Sequence, residues 1–465
     1  MTRGRGIDGL SGTDKDKLIA GLRATRKAAR ERRPADAPVA ARESRRARPA
    51  FDFAEMPAVR QMRMQRAAAD LLGIENPYFQ SHEGVAGSRT MIGNREYLNF
   101  SSYDYLGLNG HPEVNEAAVA AVARYGTSVS ASRLVAGERP IHREFEKAIA
   151  DFVGVEDSIV MVSGHATNVT TIGHLLGPKD LVLYDALIHN SVTEGARLSG
   201  ATRRTFPHND YDALEEMLVQ TRDRAERVMI VVEGLYSMDG DMPDLPRLLS
   251  IKRRFDAWLM VDEAHSLGVL GAAGRGLAEH FDVDPNEVEI WMGTLSKTLC
   301  GCGGYIAGSS ALIEYLKLSV PGFLYSVGMP GPTAAASLAC LKLLEREPDR
   351  VARVRENGHR FVERAKARGL DVGPSAGYSV VPVIVGDSVN AALLSQRLHD
   401  RGINALPIIF PAVAEKAARL RFFITAAHTA ADIDAAVDAT AEALVEVRSA
   451  GSQLKKLVGD RIRSS

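Results

Sequence analysis

Short runs of apolar residues recur along residues 156–308, and segments with helical spacing separate several of them. Val, Ile and Leu dominate these runs without polar alternation, so each run predicts a strand that is buried on both faces. The six runs are SIVMVSG (158–164), LVLYDA (181–186), VMIVVEG (228–234), WLMVDEA (258–264), EIWMG (289–293) and GGYIAG (303–308). Helical segments such as 212–227 and 245–255 provide the crossovers. The pattern predicts an α/β fold with a mostly parallel central sheet.

A different pattern begins near residue 345 and predicts a second, smaller α/β domain. It consists of amphipathic helices and apolar runs at 349–369, 379–386, 390–402, 419–427 and 429–447. Nearer the N-terminus, residues 59–73 predict one helix, and residues 13–33 predict another that Thr13 would cap. We therefore expect a basic flexible tail (1–55), an N-terminal arm (56–110), a large domain (111–345), a small C-terminal domain (346–448) and a C-terminal tail (449–465).

Composition and charge are those of a globular protein of more than one domain. The chain has 465 residues, of which 45% are hydrophobic and 25% charged, and its net charge is -1. Apolar runs are too short to span a bilayer, and the first residues lack the apolar core of a secretory signal. Three cysteines, Cys300, Cys302 and Cys340, are too few for a disulfide framework and lack the partners of a metal site. We expect a cytoplasmic protein with no transmembrane segment and no metal.

The charge is unevenly distributed, and this bears on possible partners. Residues 1–50 contain 14 Lys and Arg against 6 Asp and Glu, so the rest of the chain is mildly acidic. A basic tail suits an acidic carrier protein or coenzyme A, and a disordered solubilising extension explains it equally well. Nucleic-acid binding has only this charge in its favour, because no recognition module is present.

Polar residues follow five successive predicted strands. In open α/β sheets ligands bind beyond the carboxyl ends of the strands, so these residues share one expected crevice. They are Gly164 and His165, His189, Ser237, Asp262 and His265, and Thr294, Ser296 and Lys297. Taken singly, each has an ordinary interpretation, such as a cap, a packed histidine or a solvated lysine. Their common edge of one sheet favours a binding site, and the small-residue turn at Gly164 would offer N–H groups to a phosphate.

Lys297 lies within EIWMGTLSKTLCGCGG (289–304), where its neighbours are small, hydroxylated or apolar. This setting differs from that of an ordinary solvated lysine. Burial there would lower the pKa of the amine, as Schiff-base chemistry requires.

Several ordered segments resemble the α-oxoamine synthases, a family of fold-type I pyridoxal-phosphate enzymes. The most specific are VDEAHSLGVLGAAGRG and GTLSKTLCGCGGYIAG. SRLVAGERPIHREFE, HNSVTEGARLSGA, EGLYSMDGD and FLYSVGMP fall in the family order, and the resemblance runs from about residue 97 to residue 429. It implies a homodimer with active sites at the subunit interface. The implied reaction condenses serine, alanine or glycine with an acyl-CoA or acyl-carrier-protein thioester, and yields an α-amino ketone, carbon dioxide and free thiol.

The resemblance also implies roles for the strand-end residues toward pyridoxal 5'-phosphate. Lys297 would bind the cofactor aldehyde and act as base, and Asp262 would pair with the ring nitrogen. His265 and Ser237 would contact the ring 3-oxygen, and His189 would stack on the ring and assist the thioester. The phosphate would be held by Thr294, Ser296, Gly164 and His165. Arg421, in RLRFFITAAH, would bind the amino-acid carboxylate, although a surface arginine on an edge strand is the alternative interpretation.

Two departures from the family pattern bear on substrate and assembly. Where relatives carry a Thr-Ser pair that reaches the neighbouring subunit's phosphate, this chain has Val327 and Gly328, and Ser326 would substitute. Tyr103 resembles bacterial serine palmitoyltransferases and, with Asp104, would contact substrate; it favours serine and a long acyl chain. PIIFPAVAEKAARLRFF resembles synthases that work beside polyketide or acyl-carrier proteins.

Two other readings of the same motifs remain open. An aminotransferase or lyase on this fold would share the lysine and the aspartate without an acyl-thioester site. A non-catalytic regulatory member would be expected to lack the lysine, whereas Lys297 and Asp262 are both present.

Overall fold

The computed structural model describes residues 52–71 and 73–463, and the side chains of residues 52–67, 69–70 and 73–449. The predicted helix at 13–33 and residues 1–51 of the predicted tail lie outside the described residues. Two units are distinguished, residues 1–72 and 73–465. In the first, Asp52 accepts the N–H of Ala54 and caps a short 3-10 helix, Phe53–Glu55. Helix α1 follows at Pro57–Leu71, two residues earlier than predicted.

The large sheet of the second unit contains every strand predicted between residues 156 and 308. Its members are β4 (Asp157–Met161), β5 (Leu181–Asp185), β6 (Thr202–Phe206), β7 (Val228–Glu233), β8 (Trp258–Asp262), β9 (Ile290–Thr294) and β10 (Gly304–Gly308). Their order is β4-β10-β9-β8-β7-β5-β6, and only β10 runs antiparallel to its neighbours. The sheet is therefore mostly parallel, as predicted.

Strand β6 was not foreseen from the sequence. It is an edge strand with the sequence TRRTF, and four of its five residues are exposed. An edge strand needs no continuous apolar run because one side and much of one face meet solvent. Because two of its five residues are arginines, the strand lacks the apolar pattern by which buried strands are predicted.

Helices cover both faces of this sheet, and two apolar cores form beneath them. The helices are α2 (Pro112–Tyr125), α3 (Pro140–Val153), α4 (Gly164–Leu175), α5 (Asn190–Ser199), α6 (Tyr211–Thr221), α7 (Leu245–Arg254), α8 (Leu277–His280), α9 (Ser310–Ser319), α10 (Pro321–Leu324) and α11 (Gly331–Arg346). One core contains Trp291 and Tyr305, and the other contains Ile306 and Met260. Because alternate residues of β9 and β10 enter opposite cores, both faces of the sheet are buried.

The C-terminal segment forms a smaller α/β layer. It comprises α12 (Asp349–Ala367), β11 (Val380–Gly386), α13 (Ser388–Asp400), β12 (Ile403–Asn404), β13 (Pro407–Ile408), β14 (Ala418–Phe423) and α14 (Ala430–Arg463). Strands β11, β14 and β13 form an antiparallel sheet. Helix α14 extends well beyond residue 447, where the sequence pattern ended it. No proline interrupts the residues that follow.

The segment before α2 contributes to this C-terminal layer. Strands β1 (His82–Glu83), β2 (Arg89–Ile92) and β3 (Arg95–Asn99) form a meander, and β3 pairs in parallel with β12. Phe100 then packs edge-on against Phe422 and Phe361. Residues far apart in the chain thus share one core, which brings the segment 101–105 to the carboxyl edge of the large sheet.

Candidate active site

A cavity of about 470 Å³ lies at the carboxyl ends of β7, β8 and β9. Parallel pairing places Glu233 opposite Asp262 and Asp262 opposite Met292, so β7 and β8 end level with each other and β9 extends two residues further, to Thr294. Eleven of the residues predicted for the site line it, namely Tyr103, Gly164, His165, His189, Ser237, Asp262, His265, Thr294, Ser296, Lys297 and Arg421. The common strand edge inferred from the sequence is therefore one cavity in the folded chain.

A hydrogen-bonded chain connects Asp262 to His189. The Asn168 amide donates to Asp262 Oδ2 at 2.8 Å and to Ser191 Oγ at 2.9 Å. The Asp262 Oδ1 atom accepts the N–H of Ala264 at 3.0 Å. Both carboxylate oxygens are thus held, and the carboxylate is fixed in orientation although it is almost fully buried.

The same chain determines the tautomer of His189. Ser191 Oγ lies 2.7 Å from His189 Nδ1, and the backbone N–H of Ser191 donates to Nδ1 at 3.3 Å. Burial lowers the pKa of His189, so the ring is neutral near pH 7. Because Nδ1 accepts, the ring proton lies on Nε2. Asn168 and Ser191 were not identified as site residues from the sequence, since a polar residue inside a helix has no distinctive local signal.

Lys297 is largely buried beside two carboxyl groups. Burial lowers the pKa of Lys297 to about 8, although Asp262 and Glu233 act in the opposite direction. The ammonium lies 5.6 Å from the centroid of the Tyr103 ring, on its face. The amine can therefore exchange a proton near neutral pH, which an exposed lysine does not do.

The N-terminus of α4 approaches Thr294 closely enough to require glycine at position 164. A Cβ atom at Gly164 would lie 2.6 Å from Thr294 Oγ1. Ser163 Oγ accepts the N–H of Ala166, and Thr294 Oγ1 lies 2.9 Å from Ser296 Oγ. Two hydroxyl groups and the first N–H groups of a twelve-residue helix thus converge at one end of the cavity, where an anion would be stabilised.

His265 is oriented by a tyrosine that sequence analysis did not select. Tyr105 Oη lies 2.6 Å from His265 Nδ1, and both side chains are buried. Burial raises the pKa of Tyr105 and lowers that of His265, so the phenol keeps its proton and donates it to a neutral ring. His265 Nε2 then carries the ring proton. Tyr105 could have been selected from the sequence, because it lies two residues after Tyr103 in the same segment, SSYDYLGL.

Arg421 reaches the cavity from β14 and retains an unused donor. Its Nη1 donates to Ser237 O at 2.8 Å, and its guanidinium lies 4.6 Å from the Phe423 ring centroid. Its buried Nε has no hydrogen-bond partner among the described residues. Two residues earlier on the strand, Arg419 pairs with Asp239 and holds the same loop. The alternative interpretation of Arg421 as a surface residue on an edge strand is wrong, because β14 is the central strand of its sheet and Arg421 lines the cavity.

Two predicted site residues lie outside this cavity. Asp104 accepts the N–H groups of Leu108 and Asn109 and lines a second cavity of about 480 Å³, which shares Tyr103, Ser296 and Lys297 with the first. Ser326 lines neither cavity of its own chain. The implied contact of Ser326 with a neighbouring subunit remains a prediction.

The described part of the chain was also compared with what a membrane span and a metal site require. No described helix has the length and apolarity that crossing a membrane requires. Among the described residues no group of three or more His, Cys, Asp or Glu side chains is arranged to hold a metal ion.

Comparison with known proteins places these features in a family. The profile of the aminotransferase class I and II family matches residues 95–439. The 8-amino-7-oxononanoate synthase of Symbiobacterium thermophilum is 41% identical over 354 residues, which cover 76% of this chain and 90% of that protein. The 4-hydroxy-2,2'-bipyrrole-5-methanol synthase PigH of Serratia sp. is 36% identical over 354 residues, which cover 76% of this chain and 54% of PigH.

Solved structures agree with the sequence relatives. Serine palmitoyltransferase from S. paucimobilis, solved with bound PLP and myriocin, superposes with a TM-score of 0.82 at 26% identity over 86% of this chain and 100% of that chain. The Sphingomonas wittichii serine palmitoyltransferase gives a TM-score of 0.81 at 26% identity, over 86% of this chain and 99% of its own. The chain therefore belongs to the class I and II aminotransferase family and, within it, to the α-oxoamine synthases.

Proposed function

We propose that this chain condenses a small amino acid, serine, alanine or glycine, with an acyl thioester and releases carbon dioxide. Like other α-oxoamine synthases, it is a PLP-dependent acyltransferase. The observation that carries the substrate proposal is that Lys297, Asp262 and Arg421 line one cavity of about 470 Å³. An amine of lowered pKa, a fixed carboxylate and a guanidinium with a free donor are the groups that this reaction needs.

The residues present fit pyridoxal 5'-phosphate. The space that a Cβ at Gly164 would fill adjoins the Thr294 and Ser296 hydroxyl groups, and this end of the cavity suits the phosphate. Asp262, held in orientation through Asn168, suits the protonated ring nitrogen. We assign the ring 3-oxygen to Ser237 and His265, the ring face to His189, and the aldehyde to Lys297. When bound, the cofactor supplies an electron sink for the substrate carbanion.

Arg421 would bind and orient the amino acid. Its free Nε and the remaining N–H groups can form two parallel bonds to a carboxylate, which fixes the Cα of the substrate. Lys297, with a pKa of about 8, then removes the Cα proton and later returns one. His189, which lines the cavity and carries its proton on Nε2, would donate to the thioester carbonyl oxygen as the thiol leaves.

The second cavity is our candidate for the acyl group. It meets the first at Lys297, Ser296 and Tyr103, so a thioester there would reach the reacting carbon. Its lining combines polar side chains, among them His82, Asn99, Asp104 and Asn109, with the apolar surface of Tyr103, Leu406 and Ala86. Because this lining offers apolar surface as well as polar groups, the longer acyl chain that Tyr103 suggested stays part of the proposal.

We further propose a cytoplasmic homodimer. The described cysteines Cys300, Cys302 and Cys340 are all unpaired, as a reducing compartment would keep them. Exposed apolar side chains gather on two neighbouring segments, at Leu134 and Val135 in the π-helical turn Arg133–Gly137 and at Tyr325 and Val327 in the loop after α10. The N–H of Gly328 donates to Ala131 O and joins these segments. A second copy of the chain would cover this apolar surface and bring Ser326 close to its cofactor.

The test is a matrix of glycine, alanine and serine against acetyl, malonyl, octanoyl and palmitoyl thioesters of CoA and of carrier protein. Product mass, carbon dioxide and free thiol are measured together. We expect an α-amino ketone together with equal amounts of carbon dioxide and free thiol, and the donor with the highest kcat/KM identifies the preferred acyl group. Lys297→Ala is the control and should form no product. Amino transfer to a keto acid without thiol release would instead identify an aminotransferase.

A further inference from the structure

Glu233 is the last residue of β7 and is as deeply buried as the core around it. It is paired in register with Asp262 on β8, so the two carboxyl groups stand side by side at the strand ends. Only 2% of Glu233 is exposed to solvent, yet the residue lines the 470 Å³ cavity. A second acid next to Asp262 has no part in the proposed reaction steps, and its presence needs a reason.

The two carboxyl oxygens of Glu233 have different surroundings. Oε2 accepts the backbone N–H of Ser237 at 2.9 Å. Oε1 is buried and makes no hydrogen bond of good geometry among the described residues, although the backbone N–H of His189 lies near the carboxyl group. A buried, unpartnered carboxylate oxygen is costly, whereas a protonated oxygen that faces a ligand site has an evident use.

Burial and charge both keep this group un-ionised near neutral pH. Burial raises the pKa of Glu233 to about 8, and the carboxylate of Asp262 acts in the same direction. The backbone N–H groups of Ser237 and His189 and the charge of Lys297 favour ionisation, but burial outweighs them. Two buried tyrosines, Tyr105 and Tyr236, lie near enough that the charge of an ionised Glu233 would raise the pKa of each phenol.

We propose that Glu233 is a positioning residue that works as a neutral carboxylic acid, accepting the Ser237 N–H on one oxygen and presenting the O–H of the other to the molecule held in the cavity. It anchors the loop that carries Ser237, and the backbone N–H of His189 lies close enough to stabilise the same carboxyl group. It thereby links two residues that surround the proposed cofactor position, Ser237 and His189. This inference rests on the proposed cofactor site.

The neutral state matters because a second negative charge would disturb the proton balance of the site. An ionised Glu233 would add to the field of Asp262 at Lys297 and hold the amine in its charged form. The neutral acid provides a hydrogen bond of similar geometry without that field. The carbonyl oxygen and NH2 group of a glutamine can imitate this neutral acid, whereas alanine cannot.

The test compares the wild type, Glu233→Gln and Glu233→Ala as cofactor-loaded enzymes without substrate. The absorption spectrum is recorded from pH 6 to 10, and thermal unfolding checks that each variant is folded. At pH 7 we expect Glu233→Gln to keep the wild-type spectrum, and Glu233→Ala to shift it. Between pH 7 and 9 the wild type should show a spectral change with a midpoint near 8. Glu233→Gln should lack that component.

Turnover provides a second measurement. Glu233→Gln should retain kcat at pH 7 within about threefold of the wild type, and Glu233→Ala should lose about tenfold or more. The proposal is overturned if Glu233→Gln fails to fold, resembles Glu233→Ala at pH 7, or keeps the alkaline spectral change. The spectral readout needs no acyl thioester. An enzyme that binds the cofactor and forms no product would refute the proposed reaction. The spectra of the Glu233 variants could still be compared, so the proposal for Glu233 would still be tested.

Discussion

Arg421 illustrates how a single side chain can serve both structure and recognition. One N–H group donates to the Ser237 carbonyl oxygen, and this hydrogen bond orients the rest of the guanidinium toward the cavity. The buried Nε without a partner is a donor that a substrate carboxylate would satisfy. The pairing is geometric as well as electrostatic, because a planar fork matches two carboxylate oxygens.

We predict that Arg421→Lys raises the KM for the amino acid about 10–30-fold and lowers kcat less, because lysine keeps the charge and loses the two-bond fit. Steady-state kinetics at saturating acyl thioester would measure both constants. Arg397→Lys, at an exposed arginine on α13, is the control and should leave them unchanged. An unaltered KM in Arg421→Lys would show that the carboxylate binds elsewhere.

Among the elements, the contact between α4 and the end of β9 depends on the missing side chain of Gly164. The close approach of Thr294 Oγ1 leaves no room for a methyl group. The first N–H groups of α4 and the hydroxyl groups of Thr294 and Ser296 can then bind the same anion. Small residues in a turn were visible in the sequence, but their distance from Thr294 was not.

We predict that Gly164→Ala raises the dissociation constant of the cofactor about tenfold, because the added Cβ displaces α4 from Thr294. Fluorescence or absorption titration of the cofactor-free enzyme with pyridoxal 5'-phosphate measures it. Gly87→Ala is the matched control, since a Cβ there would meet nothing within 4 Å. Equal affinities in the two variants would mean that this helix end does not hold the phosphate.

A charged cluster ties the end of β5 to the loop that follows β7. His208 lies 2.8 Å from Asp185 Oδ1 and 2.8 Å from Asp241 Oδ2. Burial works against the charged ring, but the hydrogen bonds to the two carboxylates outweigh it and raise the pKa of His208 to about 10. The loop so held carries Ser237, which reaches the active site.

His208 should make stability depend on pH in the alkaline range. Its folded pKa exceeds the unfolded value of about 6.5, so its contribution is complete below pH 6.5 and is lost as pH rises through about 10. Urea unfolding at pH 6.5 and 9.5 should therefore show a loss on the order of 2 kcal/mol from this group. His208→Gln should be less stable than the wild type at pH 6.5, and the gap should narrow at pH 9.5. A gap that does not change with pH would contradict a charged His208.

At the scale of the whole molecule, chain segments far apart in sequence build each part of the site. Strand β3 pairs with β12, and Phe100 packs on Phe422 and Phe361. These contacts carry Tyr103 and Tyr105 to the large sheet, while β14 carries Arg421 from the other side. The domain boundaries drawn from the sequence remain predictions, although the pairing shows that the segment 95–99 is held by the C-terminal layer.

The exposed apolar surface around Val135 predicts a dimer. Val135 is 81% exposed and stands beside other exposed apolar side chains, which favours burial against a second copy. In sedimentation velocity we expect a dimer for the wild type and at least about tenfold weaker association for Val135→Asp. Val219→Asp, at an exposed valine of α6, is the control. A wild-type monomer at micromolar concentration would refute the homodimer.

The sequence by itself determined the sheet, the strand ends and the chemical groups at them. Continuous Val, Ile and Leu runs have few alternatives to buried strands, and parallel strands necessarily gather the residues that follow them at one edge. Lys297, Asp262 and His189 could therefore be selected before any coordinates, and Arg421 was selected through the family resemblance of its segment. The ordered motifs then identified the family, which the relatives confirm.

Only the tertiary structure decided what depends on distance and burial. The edge strand β6 has no apolar run to reveal it, and the pairing of β3 with β12 joins segments about 300 residues apart. Asn168 becomes a partner of Asp262 only when α4 packs on the sheet. In the sequence Glu233 cannot be distinguished from an exposed glutamate. Its un-ionised state arises from its burial beside Asp262. A one-dimensional pattern records which groups follow a strand, whereas their protonation depends on the surrounding charges and excluded water.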